Sequence, residues 1–206
     1  MIKKISALLL AILIILSFAA CGKDKDKEQA ETISSQVDAV NLPNTEKTGE
    51  EIRFEPAYVV LDDENAKVEI TKVSATIKNK GRDEEFTEYE VHLTITNKSE
   101  ENDFGFNVST DAAAIGAYTV QFGNSDTRAK AGRINDTCTF SAYKYTNLPD
   151  RNTKGAEHIE SIDDLLKFNA DVGAQVYQDD GSVIHTLDRY KVKFSLEDVD
   201  PSTIIR

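Results

Sequence analysis

Tryptophan is absent from this 206-residue sequence, and cysteine occurs only twice, as Cys21 and Cys138. Positive charge is also scarce, because 24 lysines and arginines stand against 36 aspartates and glutamates, which gives a formal net charge of −12. Nucleic acid phosphates and anionic lipid headgroups are bound by patches of lysine and arginine. The acidic balance therefore predicts no nucleic acid partner, and it favours solubility or contact with basic partners.

Residue patterns that mark catalytic and metal sites are missing as well. None of His92, His158 and His185 lies within metal-ligand spacing of another, and the chain has no Cys-x-x-Cys pair. No Gly-x-Ser-x-Gly motif frames a serine nucleophile. We therefore expect no enzyme activity, no cofactor and no metal site. A catalytic triad assembled from residues distant in sequence is the remaining route to an active site.

The N-terminus has the three parts of a secretory signal peptide: positive charge, an apolar run that ends at Ala20, and small residues before the cut. The stretch Phe18–Cys21 resembles a bacterial lipobox, with phenylalanine where leucine is more usual. The resemblance implies that residues 1–20 are removed as a lipoprotein signal peptide. It also implies that the sulfur of Cys21 carries a diacylglyceryl group with fatty chains such as palmitate. An ordinary signal peptide and an uncleaved anchor are the alternatives.

Lipidation of Cys21 leaves Cys138 without a partner, so an intrachain disulfide is excluded and the core alone must stabilise the exported domain. A domain of about 150 residues is large enough to build such a core. Residues 21–53 are acidic and contain few large apolar side chains, which predicts a disordered tether. Residues 54–206 are expected to form one domain, and the loss of two lysines with the signal peptide takes the mature charge to −14.

From residue 54 onward, apolar residues recur in stretches of strand length between turn residues. In residues 86–96, Tyr89, Val91, Leu93 and Ile95 share one face and polar residues share the other, which predicts a strand with one buried face. In residues 67–78 the parity of the apolar positions switches near Thr71, which predicts a bulge or a break. Further strands are expected at 57–61, 104–108, 118–122, 134–145, 172–176, 182–187 and 189–196.

One short helix is predicted after the strand that ends at residue 145. Ser161 can cap its first turn, and Asp163 and Asp164 complement the positive end of the helix dipole. Ile162 and Leu165 give the helix an apolar face. The last segment, residues 197–206, is expected to be a tail.

About eight or nine short strands and one helix predict an all-β antiparallel sandwich, with a flattened or partly open barrel as the alternative. Three features resemble the immunoglobulin-like (telokin-like) domains of bacterial lipoproteins. They are the strand Tyr89–Thr96, which closes on Asn97-Lys98-Ser99, the Ala131-Gly132 pair ahead of a strand at 137–143, and the lipobox with its acidic tether. The sequence lacks the cysteine pair and core tryptophan of antibody-type domains. The resemblance implies an immunoglobulin-like sandwich and a cell-surface role without assigned chemistry.

Two groups of residues offer weak binding chemistry. The acidic turns Asp62–Asn65 and Asp179–Gly181 contain oxygen ligands suited to calcium, but they lack EF-hand spacing and are typical of solvated turns. Tyr118, Tyr143 and Tyr145 could form an aromatic platform for sugars, although strand alternation places Tyr118 in the core.

Two further residues are expected to be structural. His92 lies on a polar strand face beside Glu90, which favours a surface salt bridge over a role as a ligand. Cys138 shares its strand face with Phe140 and Ala142, so we expect a small buried apolar residue and not a reactive thiol.

These observations predict a lipoprotein held on the extracytoplasmic face of the cell membrane by the lipid on Cys21. Its domain is expected to bind another protein or a cell-wall component through loops or a sheet face. The alternatives are an accessory subunit that presents a small ligand to a membrane transporter, and a hydrolase with a spatially assembled site. A deep pocket with convergent polar groups would favour the alternatives, and a flat exposed apolar patch would favour the binding module.

Overall fold

A computed structural model of the chain describes residues 49–179, 181 and 183–206. The predicted signal peptide, the predicted lipidation site Cys21 and most of the predicted tether lie outside the described residues. The described strands are β1 (Gly49–Asp62), β2 (Ala66–Lys78), β3 (Phe86–Asn97), β4 (Asp103–Ile115), β5 (Tyr118–Thr119), β6 (Gly123–Ser125), β7 (Arg128–Ala129), β8 (Ile134–Tyr145), β9 (Phe168–Asp179), β10 (Ile184–Ser195) and β11 (Ile204–Ile205).

The strands form two antiparallel sheets. Sheet A has the order β11-β1-β2-β3-β8-β6, and sheet B has the order β10-β9-β4-β5 with β7 also paired to β4. The predicted all-β antiparallel sandwich is therefore confirmed, and the barrel alternative is wrong because the strands divide into two separate sheets. In the part of the chain that is described, no helix is long and apolar enough to cross a membrane.

One hydrophobic core lies between the two sheets. The alternation predicted for β3 is confirmed, because Tyr89, Val91, Leu93 and Ile95 are all buried. Each such side chain contributes roughly 1.5–3 kcal/mol relative to an exposed one. Large aromatic rings fill the centre of the core from both sheets; they are Phe104, Phe106, Phe140 and Phe168.

The predicted irregularity near Thr71 is also confirmed. The β2–β3 register runs in step up to the Ile70–Leu93 pair and resumes at the Lys72–His92 pair, so one extra residue is inserted in β2. The insertion returns Val73 to the core face after the parity switch, and Val73 is fully buried. A bulge of this kind re-aims the side chains on one strand relative to its neighbour.

Both ends of the described domain contain more strand than the sequence predicts. β1 begins at Gly49, so residues 49–53, which were assigned to the tether, form strand, and Ile52 is buried. The predicted tail is wrong, because its residues Ile204 and Ile205 form β11 and pair with β1. Val199, also in the predicted tail, is buried in the core.

Two strand predictions also need correction. Only Tyr118 and Thr119 of the stretch 118–122 form strand, and Tyr118 is exposed, contrary to the expectation that it lies in the core. The two strands expected at 182–187 and 189–196 are one strand, β10, with a register irregularity between Thr186 and Asp188.

The predicted short helix is present as a 3-10 helix at Ile162–Lys167. The carboxylate of Asp164 accepts hydrogen bonds from the backbone amides of Glu160 and Ser161, at 2.9 and 3.1 Å, and so satisfies donors at the helix start. Ile162 and Leu165 are buried beneath it. Single-turn 3-10 segments also occur at Pro149–Arg151, Ala156–His158, Leu196–Asp198 and Pro201–Thr203.

Candidate functional site

The candidate site is built on β10, the last strand of sheet B. β10 pairs with β9 from Ile184 opposite Asp179 to Ser195 opposite Asn169. No other strand in the described part of the chain pairs with β10. Among the described residues, the N–H and C=O groups of residues 186–195 that point away from β9 therefore form an open sheet edge. Natural proteins usually shorten, cover or protect such an edge with charge.

Positive charge is concentrated on this edge strand. Arg189, Lys191 and Lys193 alternate along β10, and all three side chains are exposed. Side chains point to opposite faces at successive positions of a strand, so these three point to the same, outer face of sheet B. They form a cationic line about 13 Å long on an acidic protein.

Two of the three cations have no acidic partner among the described residues. Lys193 lies 3.4 Å from Asp171, but the two side chains are 78% and 37% exposed, so the pair is weak. Arg189 and Lys191 form no ion pair with any residue that the structure describes. Elsewhere most lysines and arginines are engaged, as in the pairs Lys72–Glu51 at 3.0 Å and Lys78–Glu88 at 3.1 Å.

The opposite end of β10 is apolar and exposed. Val183, Ile184 and Leu187 are 51%, 53% and 52% exposed. Val183 directly precedes β10, Ile184 and Leu187 lie within it, and all three come ahead of the cationic line in sequence. Isolated exposed apolar residues are ordinary, but a group of three on an open strand edge is typical of an interaction surface. We call the exposed side of residues 183–193 the β10 surface.

A shallow trough borders the β10 surface on the outer face of sheet B. Two adjoining cavities, of about 660 and 500 Å³, share Asp111, Ala112 and Asp171 in their walls. The trough exists because β4 leaves β9 between Val108 and Ala113, so that residues 109–112 lie opposite Asp171 alone. Most of the residues that line it are exposed or half-buried, so it is an open depression and not a deep pocket.

An ion-pair cluster lies on the outer face of sheet B at the C-terminal end of β9. Asp103 has a side chain only 8% exposed, and it lies 2.7 Å from Arg128 and 2.9 Å from Lys130. Both cations also lie 3.3 Å from Asp179. Burial would raise the pKa of Asp103, but the bonds from Lys130 and the Ala131 amide and the charge of Arg128 lower it on balance. The cluster holds β4, β7 and β9 together beside the start of β10.

The outer face of sheet A brings together a serine, a histidine and a glutamate. Ser74 Oγ lies 2.8 Å from His92 Nε2, and Glu90 Oε2 lies 3.6 Å from the same nitrogen. In a catalytic triad the hydroxyl and the carboxylate contact opposite ring nitrogens. Here both approach Nε2, so the carboxylate does not orient the ring for proton transfer from the serine.

Burial changes the charge expected for this cluster. Desolvation, assisted by the charge of Lys72, lowers the pKa of His92 to about 4. Burial also raises the pKa of Glu90. The imidazole is therefore neutral at pH 7. The two side chains are neighbours, as predicted, but the neutral ring of His92 does not form a salt bridge with Glu90 at this pH.

The three tyrosines of the suggested sugar platform do not form one group. Tyr143 and Tyr145 both contact Phe86, with ring centroids 5.8 and 5.0 Å apart. Tyr118 instead stacks on His158, with centroids 3.9 Å apart. Phe86, which sequence reasoning did not select, is thus the residue that links the two tyrosines.

The acidic turns are occupied by internal donors. Asp63 Oδ1 accepts hydrogen bonds from the amides of Asn65 and Ala66 at 2.8 and 2.9 Å, and its Oδ2 accepts one from the hydroxyl of Tyr190. Asp62 pairs with Lys98 at 2.6 Å. Among the described residues, no group of three or more histidines, cysteines, aspartates or glutamates is arranged to hold a metal ion.

Cys138 is fully buried and unpaired, as expected. Burial raises the pKa of its thiol to about 12, so almost none of it is the reactive thiolate at neutral pH.

Comparisons with known proteins add little to this geometry. No protein-family model and no curated protein matches the sequence. Among solved structures, the chain is similar to the yeast GGA1 GAE domain, with a TM-score of 0.28 and 7% identity over 65% of this chain and 96% of that chain. A likeness at this TM-score carries no argument, so function is inferred from the residues of this chain alone.

Proposed function

We propose that this chain is an immunoglobulin-like lipoprotein, anchored through Cys21 on the extracytoplasmic face of the cell membrane, whose sandwich binds another protein. The observation that carries the proposal is the β10 surface. It combines an open strand edge, three exposed apolar side chains and a line of cations, two of which have no acidic partner among the described residues. An open edge beside exposed apolar side chains can pair with another chain, and the line of cations restricts which chains can pair with it.

The proposal favours a partner protein over the two alternatives from the sequence. A transporter subunit that presents a small ligand and a hydrolase both call for a concave site that buries most of its ligand. The trough is an open depression lined largely by exposed and half-buried residues, and the Ser74–His92–Glu90 cluster has the wrong nitrogen contacts for a triad. A flat protein interface needs neither feature.

Site-specific photo-crosslinking on the bacterial cell surface tests the binding function. A photoreactive residue replaces Lys191 on β10 in one strain and Lys80, exposed in the turn after β2, in the control strain. We expect a discrete crosslinked protein from position 191 that is absent from position 80. A cell-wall glycan attached at position 191, or equal products from both positions, would contradict the proposal.

The anchor requires a separate measurement. Mass spectrometry of the N-terminal peptide from membranes should find a chain that begins at Cys21 with a diacylglyceryl group on its sulfur. In a Cys21→Ser variant the protein should leave the membrane fraction. An unmodified Cys21, or a chain that begins elsewhere, would overturn the anchor and leave the crosslinking result to stand alone.

A further inference from the structure

We infer that the partner supplies an extended acidic segment that adds a strand to sheet B along the open edge of β10. This inference rests on the proposed function, because it specifies how the same surface binds a protein. Strand addition uses the backbone groups of an edge for affinity and alternate side chains for specificity. β10 offers both, since its length of 12 residues exceeds that of most edge strands.

The charge pattern of β10 sets the chemistry of the added strand. Arg189, Lys191 and Lys193 are spaced by two residues, which is about 6.7 Å along a strand. A neighbouring strand with acidic residues at every second position has the same spacing, and its carboxylates would lie on the same face at about 5 Å from the β10 side chains. Because Arg189 and Lys191 have no acidic partner among the described residues, pairing them breaks no ion pair on this face.

The apolar end of the β10 surface extends the expected sequence. Ile184 lies opposite Asp179 and therefore points to the same outer face as the cationic line, while Leu187 sits at the register irregularity after Thr186. An added strand that continues past Arg189 would meet these exposed apolar side chains. The partner segment is therefore expected to carry an alternating acidic stretch with an apolar residue at one end.

A second copy of this chain fits the edge less well than an acidic segment. A two-fold antiparallel pairing centred on Tyr190 would place Arg189 of one copy opposite Lys191 of the other. Like charges directly opposite one another across a strand pair are destabilising. The cations thus act against self-pairing and in favour of an acidic partner.

Synthetic peptides test the inference on the mature chain, residues 21–206, with Cys21→Ser so that it stays in solution. The first peptide has nine residues, with glutamate at alternate positions among threonine and valine and a leucine at one end. The second carries the same residues with the glutamates in one block, and the third carries lysine in place of glutamate. We expect binding by the first peptide at least tenfold tighter than by either of the others. We also expect slower hydrogen exchange of β10 amides in its complex.

Two further peptides separate strand addition from simple charge attraction. Both have the alternating sequence with N-methyl groups on every second backbone amide, and the methyl groups are shifted by one residue between them. An added strand turns only one set of its amides toward β10, so one peptide should lose binding and the other should keep it. Equal binding by the two methylated peptides would overturn the inference. So would binding of the peptide with its glutamates in one block that is as tight as binding of the alternating peptide.

A charge-reversal pair identifies the surface. The double variant Arg189→Glu and Lys191→Glu should weaken binding of the alternating peptide at least tenfold. The double variant Lys80→Glu and Arg82→Glu makes the same change in charge on an exposed turn of sheet A and should leave binding within twofold. An equal loss in both variants would refute a specific site. If no peptide binds while position 191 still crosslinks a protein on cells, the binding function survives and strand addition by an acidic segment is wrong.

Discussion

The Ser74–His92–Glu90 cluster makes stability depend on pH in a way that can be calculated. The side chain of His92 is 22% exposed, and its Nε2 lies 2.8 Å from the hydroxyl of Ser74. Burial, assisted by the charge of Lys72, lowers its pKa from 6.5 to about 4, although the charges of Glu51 and Glu88 act in the opposite direction. The folded protein therefore resists protonation of this ring, whereas the unfolded chain does not.

The sign follows from the two pKa values. Between pH 6.5 and pH 4 the unfolded chain binds more protons at this site than the folded protein, so stability falls as the pH falls. The contribution is fully present above about pH 6.5. At 1.36 kcal/mol per pKa unit, the loss due to His92 reaches about 2 kcal/mol at pH 5 and about 3 kcal/mol at pH 4. Glu90 acts in the opposite sense, because its raised pKa makes the folded state bind a proton more readily than the unfolded state.

The variant His92→Gln isolates the histidine, because glutamine can keep a hydrogen bond to Ser74 but has no titrating proton. Urea unfolding of both proteins measures the free energy of unfolding at each pH. Between pH 7 and pH 4, that of the wild type should fall by about 3 kcal/mol more than that of the variant. Taking the difference removes the contributions of Glu90 and Glu51 that both proteins share. A constant difference across this range, or a ring proton resonance of His92 that titrates near pH 6.5, would refute the reasoning.

Three other changes have expected outcomes. Gly155→Ala should destabilise the domain by about 2–4 kcal/mol in urea unfolding, because φ is +84° and an added Cβ would lie 2.1 Å from the Thr119 carbonyl oxygen. The control Gly181→Ala, at φ +83° with nothing within 4 Å of the added Cβ, should cost only about 1–2 kcal/mol. Equal losses of stability in the two variants would contradict this reasoning. Phe168→Ala should cost about 3–5 kcal/mol, since the ring is fully buried, and a loss below about 1 kcal/mol would count against a close-packed core. Cys138 should react with a thiol reagent at pH 8 only in denaturant, and prompt labelling of the native protein would disprove its burial.

Period-two alternation made the buried half of the fold predictable. It identified the core face of β3 and the inserted residue in β2, because a strand with one buried face must place its apolar residues at every second position. The same rule missed residues 49–53 and the tail. Their pairing joins Arg53 to Ile205 across nearly the whole domain, and two apolar residues at a chain end carry no periodic signal.

The Ser74–His92 contact shows why side-chain clusters were harder to predict than strands. The sequence predicts both strands and the bulge in β2. The contact, however, depends on the register that pairs Ser74 with Glu90 and Lys72 with His92. Register is set by the turn and the bulge together, and a shift of one residue would have placed these side chains on other neighbours. Composition within one strand contains no information of that kind.

The β10 surface was not predicted for a different reason: it is defined by the absence of a neighbouring strand among the described residues. In the sequence, Arg189, Lys191 and Lys193 look like the solvated face of any amphipathic strand, and Tyr190 and Val192 look like its buried face. The strand order places β10 at the end of sheet B, and only this order shows that the solvated cations lie beside an open edge. Such a line of lysine and arginine can serve to block unwanted pairing. It can also select an acidic strand, and the two roles are compatible, because the charges that repel a second β10 are the charges that attract a carboxylate.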